Sequence, residues 1–339
     1  MKVLVTGATG FVGSHLVRLL RQAGYAVRIL YRSERKLSRL ADLDLETVKG
    51  ALADVAALER ACAGCDLVIH TAAKADYWKD DDREALWRIN VEGTRNLLSA
   101  ADSAAVARVI FTSSASTIGI RPGREYADES DAFNLPPERF YYAYTKAKAE
   151  EIVAEFAADG LDIVTLNPAV IIGPGDLNAI SGSFVIETAR FQWLVPMSSG
   201  GISVIDVRDV ARAHLKAIER GRSGERYILT AANLTYREWF RLIAAACKVR
   251  PPVFSTPDPL LEPTAQFIEL LRRFGIQTPM DADQTRLGRA HVYFDPSKAH
   301  RELGAPKIDI ETSLRDTFQW YEQHGYIKRS LLTRLISLI

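Results

Sequence analysis

Cysteine is scarce. Three in 339 residues are too few for a disulfide framework and suit a reducing compartment. Two of them form Cys62-Ala-Gly-Cys65. A zinc site takes about four ligands, and no second pair of this kind or HxxxH accompanies them, so no metal is expected. Excess charge is also missing. Lys and Arg number 43 against 42 Asp and Glu, a formal net charge of +1. That leaves no long-range field to draw in nucleic acid, and no nucleic-acid partner is expected. No apolar run approaches the ~20 residues that cross a bilayer. Met1-Lys2 leads straight into Val3-Leu4-Val5, too short for a secretory leader, so a cytoplasmic protein is expected. What remains is an ordinary globular composition, 47% hydrophobic and 25% charged, long enough for a large α/β domain and a smaller lobe.

Strand-like and helix-like segments alternate through the first half. β-rich runs fall at Lys2–Thr6, Ala26–Tyr31, Leu45–Lys49, Asp66–His70, Ala107–Thr112 and Asp162–Asn167. Helical spacing is found at Phe11–Ala23, Val55–Cys62, Asp82–Ala101 and Phe140–Asp159. Such alternation implies right-handed βαβ units and a parallel, doubly wound sheet. After Pro168 the pattern loosens. Strands at Ile202–Asp206 and Glu225–Leu229 flank a helix at Arg208–Glu219, and helices follow at Thr264–Phe274, Pro296–Leu303 and Glu311–His324. The expected division is a first domain over 1–175, completed by about 202–230, a lobe from 176–201 and 231–325, and a tail over 326–339. Between Lys328 and Ile339 the tail has apolar residues at helical spacing. That pattern suits a membrane surface, a partner, or docking on its own domain.

Thr6-Gly7-Ala8-Thr9-Gly10-Phe11-Val12-Gly13 joins the first strand to the first helix. Gly7 permits a tight turn, Gly10 lets backbone approach a pyrophosphate, and Gly13 lets the helix pack close on the strand. Free N–H groups and the positive end of the helix dipole then hold the anion. The spacing is G-x-x-G-x-x-G, and here the chain resembles the extended short-chain dehydrogenases/reductases and the related nucleotide-sugar epimerases. The resemblance implies a Rossmann-type α/β fold and a nicotinamide cofactor. It places Thr9, Phe11, Val12, Leu52, Thr71-Ala72-Ala73, Pro168 and Val170 against that cofactor, together with the glycines.

Where NAD enzymes carry an acidic residue after the second strand, this chain has Tyr31, then Arg32, with Arg35 and Lys36 close behind. A carboxylate repels a 2′-phosphate and a guanidinium grips it. NADP(H) is therefore favoured over NAD(H), with Arg32 and Lys36 on the phosphate. In the family an aspartate after the third strand touches adenine; Ala51 stands in its place.

Tyr142-Ala-Tyr-Thr-Lys146 is Y-x-x-x-K within a helical segment. Residues four apart share a helix face, so a phenol and an ammonium enter one crevice. The ammonium is expected to lower the phenol's pKa and make Tyr142 a proton carrier while hydride moves. Tyr144 and Lys148 form an overlapping match. The resemblance favours the first, because the family pattern is Tyr-x-x-[Ser/Thr]-Lys and Thr145-Lys146 fits it. It also assigns Ser114, the second serine of Thr112-Ser113-Ser114, to the substrate oxygen, with Ser113 as the fallback. Tyr142, Lys146 and Ser114 are thus the expected catalytic residues. Further likeness runs through Asn90-Val-Glu-Gly93-Thr94, through Asn167-Pro168 (asparagine for the usual arginine), and through Val207-Arg-Asp209-Val210.

Three activities compete. The resemblance is strongest to the dihydroflavonol-reductase-like group, which implies an NADP(H)-dependent reductase acting on a small apolar or aromatic carbonyl or alcohol. Phe184, Phe191, Trp193, Tyr77 and Trp78 either line its pocket or belong to the core. A nucleotide-sugar 4-epimerase would use the same tyrosine with NAD, and Arg286 and Arg289 could hold its diphosphate. A cofactor-binding regulator without turnover has no need of the three catalytic side chains. Dimers are common in the family, so a homodimer is allowed.

Overall fold

The computed structural model describes residues 1–75, 82–276, 278 and 282–327. Tyr77, Trp78 and the tail from Lys328 lie outside the described residues. The elements run β1 (Lys2–Thr6), α1 (Phe11–Gln22), β2 (Ala26–Tyr31), α2 (Glu34–Leu37), β3 (Glu46–Lys49), α3 (Val55–Cys62), β4 (Leu67–His70), α4 (Arg83–Trp87), α5 (Gly93–Ser103), β5 (Arg108–Thr112), α6 (Tyr141–Ala158), β6 (Ile163–Pro168) and β7 (Val170–Ile172). There follow α7 (Ser183–Phe191), β8 (Gly201–Asp206), α8 (Val207–Arg220), β9 (Arg226–Leu229), β10 (Ala232–Thr235), α9 (Tyr236–Cys247), α10 (Leu261–Arg273), α11 (Ala282–Leu287), α12 (Ser297–Glu302) and α13 (Ile310–Gln323).

Seven strands form a parallel sheet in the order β3-β2-β1-β4-β5-β6-β9. This is the Rossmann-like α/β architecture expected. β4 and β6 are buried along their whole length, because helices cover both faces of the sheet. Leu16, Val17 and Leu20 of α1 pack into the core on one face; Leu58 of α3 and Leu97 and Leu98 of α5 pack into the core on the other. The chain winds outward in opposite directions from β1 and β4. The crevice beyond their carboxyl ends is where such sheets bind ligands.

The expected helix over 82–101 is divided. Between α4 and α5 the residues Arg88–Glu92 form a wider π-type turn, a feature often found at functional sites. It carries Asn90, which is 1% exposed. Asn90 accepts from the Lys74 backbone N–H at 2.9 Å and donates to the Thr145 hydroxyl at 3.1 Å. The β4–α4 connection is thereby tied to α6.

A second, three-stranded sheet has the order β10-β8-β7, with β8 parallel to β7 and antiparallel to β10. It packs with α7, α9 and α13 around Val185, Trp239, Phe240, Leu314 and Phe318. The sequence reading does not foresee β7, β10, α7 or α9. Cys62 and Cys65 are buried beside α5, and burial pushes the Cys62 thiol up to about 12. None of the helices searched among the described residues is long and apolar enough to cross a membrane.

Candidate active site

The glycine turn is shaped for an anion. Gly7 has φ +73°, and a Cβ there would lie 2.6 Å from the Ala72 nitrogen and 2.7 Å from the Thr71 hydroxyl. A side chain at Gly13 would run into the Gly7 carbonyl, so α1 meets β1 only because residue 13 is glycine. The Gly10 N–H closes the turn onto the Gly7 carbonyl at 2.8 Å. α1 opens at Gly10 with no side-chain cap, leaving its first amides and dipole for a ligand. Ala72 and Ala73 offer no bulk against this turn, while Thr71 is pinned by its hydroxyl to the Thr6 carbonyl at 2.7 Å. A dinucleotide pyrophosphate fits this cradle.

The remaining expected contacts surround it. Phe11 meets His15 edge-on at 6.1 Å, and Val12 packs against the core. Leu52 is buried, with its carbonyl held by Asn96 at 3.1 Å. Pro168 ends β6, and half-buried Val170 opens β7. Arg32 and Lys36 stand exposed just past β2. Glu34 between them is engaged by Lys49 at 3.0 Å. The sequence reading passes over Arg39. Its guanidinium donates to the Thr9 carbonyl at 3.0 Å, which brings a cation from beyond β2 onto the glycine turn. Its place in the basic run Arg32–Arg39 was the available signal. Asp54 caps α3 through the Ala57 N–H at 3.0 Å.

Tyr142 and Lys146 are on the first turns of α6, and Ser114 lies just past β5. The Ser114 hydroxyl accepts from the Ser116 amide at 3.2 Å and the Ser116 hydroxyl at 2.9 Å. Its own proton is left for the phenol of Tyr142, whose proton affinity the serine lowers. Lys146 is 2% exposed. Its ammonium donates to the Thr112 carbonyl at 2.9 Å and sits 4.3 Å from the centre of the Phe111 ring.

The electrostatics correct one expectation. Burial pushes the Tyr142 phenol up to about 12, opposed by the Ser114 hydrogen bond. Lys146 does not pull it down, because that ammonium is itself buried and directed at β5. Burial lowers Lys146 to about 8, and Glu150 opposes the fall. Ser113 turns away from the crevice and donates to Glu150. The rival Tyr144 packs against Trp87 and Tyr141, and Lys148 is paired with Glu151 at 2.8 Å.

Arg286 is paired with Glu262, Glu269 and Asp283 at 2.7–3.0 Å, carboxylates with which a diphosphate would compete; Arg289 is exposed. Phe184 packs edge-on against Trp239 and Phe240 in the lobe core. Trp193 stacks at a tilt on Phe254, and Phe191 is 40% exposed.

Residues 3–230 match the model of the NAD dependent epimerase/dehydratase family. The chain belongs to that family. As a family member it resembles a Synechocystis sp. protein named for dihydroflavonol 4-reductase, 36% identical over 333 residues, covering 96% of this chain and 95% of the relative. It is 31% identical over 353 residues to tetraketide alpha-pyrone reductase 1 of Arabidopsis thaliana, covering 97% and 98%. Among solved structures, gox2253 superposes with a TM-score of 0.84 at 32% identity, covering 96% of this chain and 99% of that one. A nucleoside-diphosphate-sugar epimerase from Pseudomonas aeruginosa superposes at 0.79 with 27% identity, covering 97% and 99%. This family member is an extended short-chain dehydrogenase/reductase of the oxidoreductase type, and its cofactor class is a nicotinamide dinucleotide.

Proposed function

We propose that the protein is an NADP(H)-dependent reductase/dehydrogenase that interconverts a carbonyl and an alcohol on a small apolar or aromatic substrate. The observation that carries this reading is that Tyr142 and buried Lys146 open α6 beside Ser114, at the strand ends that also form the glycine cradle. Gly7, Gly10, Gly13 and the amides opening α1 would hold the pyrophosphate. Arg32, Lys36 and Arg39 would receive the 2′-phosphate, and no carboxylate at Tyr31 repels it. When bound, the nicotinamide supplies or accepts the hydride. The chain supplies the proton. A phenol raised to about 12 is fully protonated at neutral pH, the form a general acid needs as negative charge grows on the substrate oxygen. Ser114 would turn its one proton from the phenol to that oxygen once substrate is bound. Lys146 fastens α6 to β5 through the Thr112 carbonyl and so holds Tyr142 in place.

The epimerase reading draws support from the Pseudomonas neighbour at 27% identity, and the engaged Arg286 counts against a diphosphate there. Denaturing the purified protein and identifying any released nucleotide separates the two. A freely exchanging site that prefers NADPH supports the reductase; stoichiometric, non-exchanging NAD overturns it. Apolar aldehydes and ketones are then the substrates to screen.

A further inference from the structure

Glu150 lies one helical turn beyond Lys146, and its carboxylate is 10% exposed. One of its oxygens accepts from the Ser113 hydroxyl, from the Thr117 hydroxyl at 2.7 Å and from the Asn167 amide at 2.6 Å. The other is paired with Arg226 of β9 at 3.0 Å. These donors share a second partner. Thr117 shares its one hydroxyl proton with the Ser114 carbonyl at 2.8 Å, and Asn167 donates to the same carbonyl at 3.2 Å. Ser113 is its covalent neighbour. A single buried carboxylate on the catalytic helix therefore grips the segment carrying Ser114 from β5, β6 and the turn after it.

The anion does not stabilise the fold cheaply. A buried carboxylate needs full pairing to offset its lost hydration, and simpler hydrogen-bonded packing would join these elements as well. Its placement has two uses at the site. It fixes the Ser114 backbone relative to Tyr142, and it sets a negative charge next to the Lys146 ammonium. Among the described residues, the other groups that bear on Lys146 bring no anion. From β4 comes His70, kept neutral by burial; from β5 come the Thr112 carbonyl and the Phe111 ring; from α6 comes the protonated Tyr142.

We propose that Glu150 is a positioning residue, whose carboxylate acts through Ser113, Thr117 and Asn167 to hold Ser114 at working distance from Tyr142, with its charge one helical turn from the Lys146 ammonium. This rests on the reductase reading. Asn167 and Arg226 belong to the same device. On β6 this chain supplies the Asn167 amide, and it takes a guanidinium from the adjoining strand, in register at Thr165↔Arg226.

Glu150→Gln keeps the side chain's shape and removes its charge. It is expected to lower kcat on the order of 10- to 100-fold, the scale of a misplaced catalytic group, with little change in the KM for NADPH. NMR titration of the Lys146 ammonium in the protein without added cofactor should move to lower pH. Glu150→Asp restores the charge but not the reach, so the Lys146 titration should return to its wild-type position while kcat stays low. Wild-type kcat and an unmoved titration in Glu150→Gln overturn the proposal. If that variant does not fold, Thr117→Val removes one donor to Glu150 and one tether on Ser114. It should lower kcat about tenfold with the Lys146 titration unmoved, and wild-type kcat in it overturns the positioning role. The titration needs no turnover, so a failure of the reductase reading leaves it interpretable.

Discussion

The Lys146 ammonium donates to the main-chain carbonyl of Thr112, two residues before Ser114, at 2.9 Å. The catalytic helix and the serine segment are therefore latched together beneath the phenol. That latch holds a charge where charge is disfavoured, so removing it separates catalysis from stability. In the folded state burial lowers Lys146 from its ordinary 10.5 to about 8. Below pH 8 the fold carries the full penalty of a buried ammonium. Between 8 and 10.5 the unfolded chain binds the extra proton, so this group's contribution to stability rises with pH. Lys146→Met is expected to be inactive, yet at least as resistant to denaturant as the wild type at pH 7, with the advantage shrinking towards pH 10.5. Denaturant melts of both proteins at several pH values check this; a mutant that is less stable at pH 7 and gains as pH rises contradicts it.

Tyr142→Phe removes only the hydroxyl that Ser114 contacts. Turnover should fall by roughly 10²–10⁴-fold, the usual worth of a positioned general acid, while NADPH affinity stays within a few fold. Loss of activity in Tyr144→Phe with retention in Tyr142→Phe would assign the proton to the wrong helix position.

Arg32→Ala should weaken NADPH about 10- to 100-fold, as expected for a lost charge-assisted hydrogen bond to phosphate, and leave NADH nearly unchanged. Arg39→Ala should weaken both, because that guanidinium also holds the Thr9 carbonyl on the glycine turn. Equal loss of the two nucleotides in Arg32→Ala would remove the 2′-phosphate from this site. Titration of tryptophan fluorescence with each nucleotide gives the comparison.

Gly13→Ala places a methyl group against the Gly7 carbonyl. The backbone must move, at a cost of about 1–3 kcal/mol for an overpacked site, and nucleotide binding should be lost with it. A variant that melts and binds like the wild type would show the turn to be looser than its geometry.

Acid should weaken the fold before most carboxylates titrate. His70 and His214 are buried neutral, lowered to about 3 and about 4 by desolvation. The unfolded chain protonates both near pH 6.5 and the folded chain does not. Stability is therefore fully present above 6.5 and is lost as pH falls towards 4. His214 accepts from the Thr112 hydroxyl at 2.7 Å, since its other ring nitrogen donates to the Val210 carbonyl at 2.8 Å. His214→Gln should flatten the slope of unfolding free energy between pH 6.5 and 4, and an unchanged slope would locate the proton uptake elsewhere.

The sheet was readable because each strand of its first half is a short β-branched run set off by turn residues, and Gly7, Gly10 and Gly13 mark the one junction that must approach a ligand. The lobe was harder. β7 and β10 are short, and β10 is only half-buried, so no alternation stands out. α9 did carry a signal, a Thr235–Glu238 capping box before an apolar run, that composition obscured. At the site, spacing on one helix was sufficient to pair Tyr142 with Lys146, as it was to pair Tyr144 with Lys148. What it leaves open is direction. Lys148 engages Glu151, and Lys146 turns to β5. The roles of Glu150, Asn167 and Arg226 depend on three elements meeting, which no local pattern records.

The pairing of β6 with β9 also has a meaning for synthesis. Fifty-seven residues separate Pro168 from Arg226 by position in the chain, and β7, α7, β8 and α8 lie between them. On the ribosome the first six strands emerge with the outer edge of β6 bare, and a bare edge invites wrong pairing. The guanidinium that completes the Glu150 pair arrives on the same strand that covers this edge. Closing the sheet and completing the polar cluster behind the catalytic helix are thus one late event, so a nascent chain stalled before residue 226 would carry its tyrosine and lysine without the means to hold them ready.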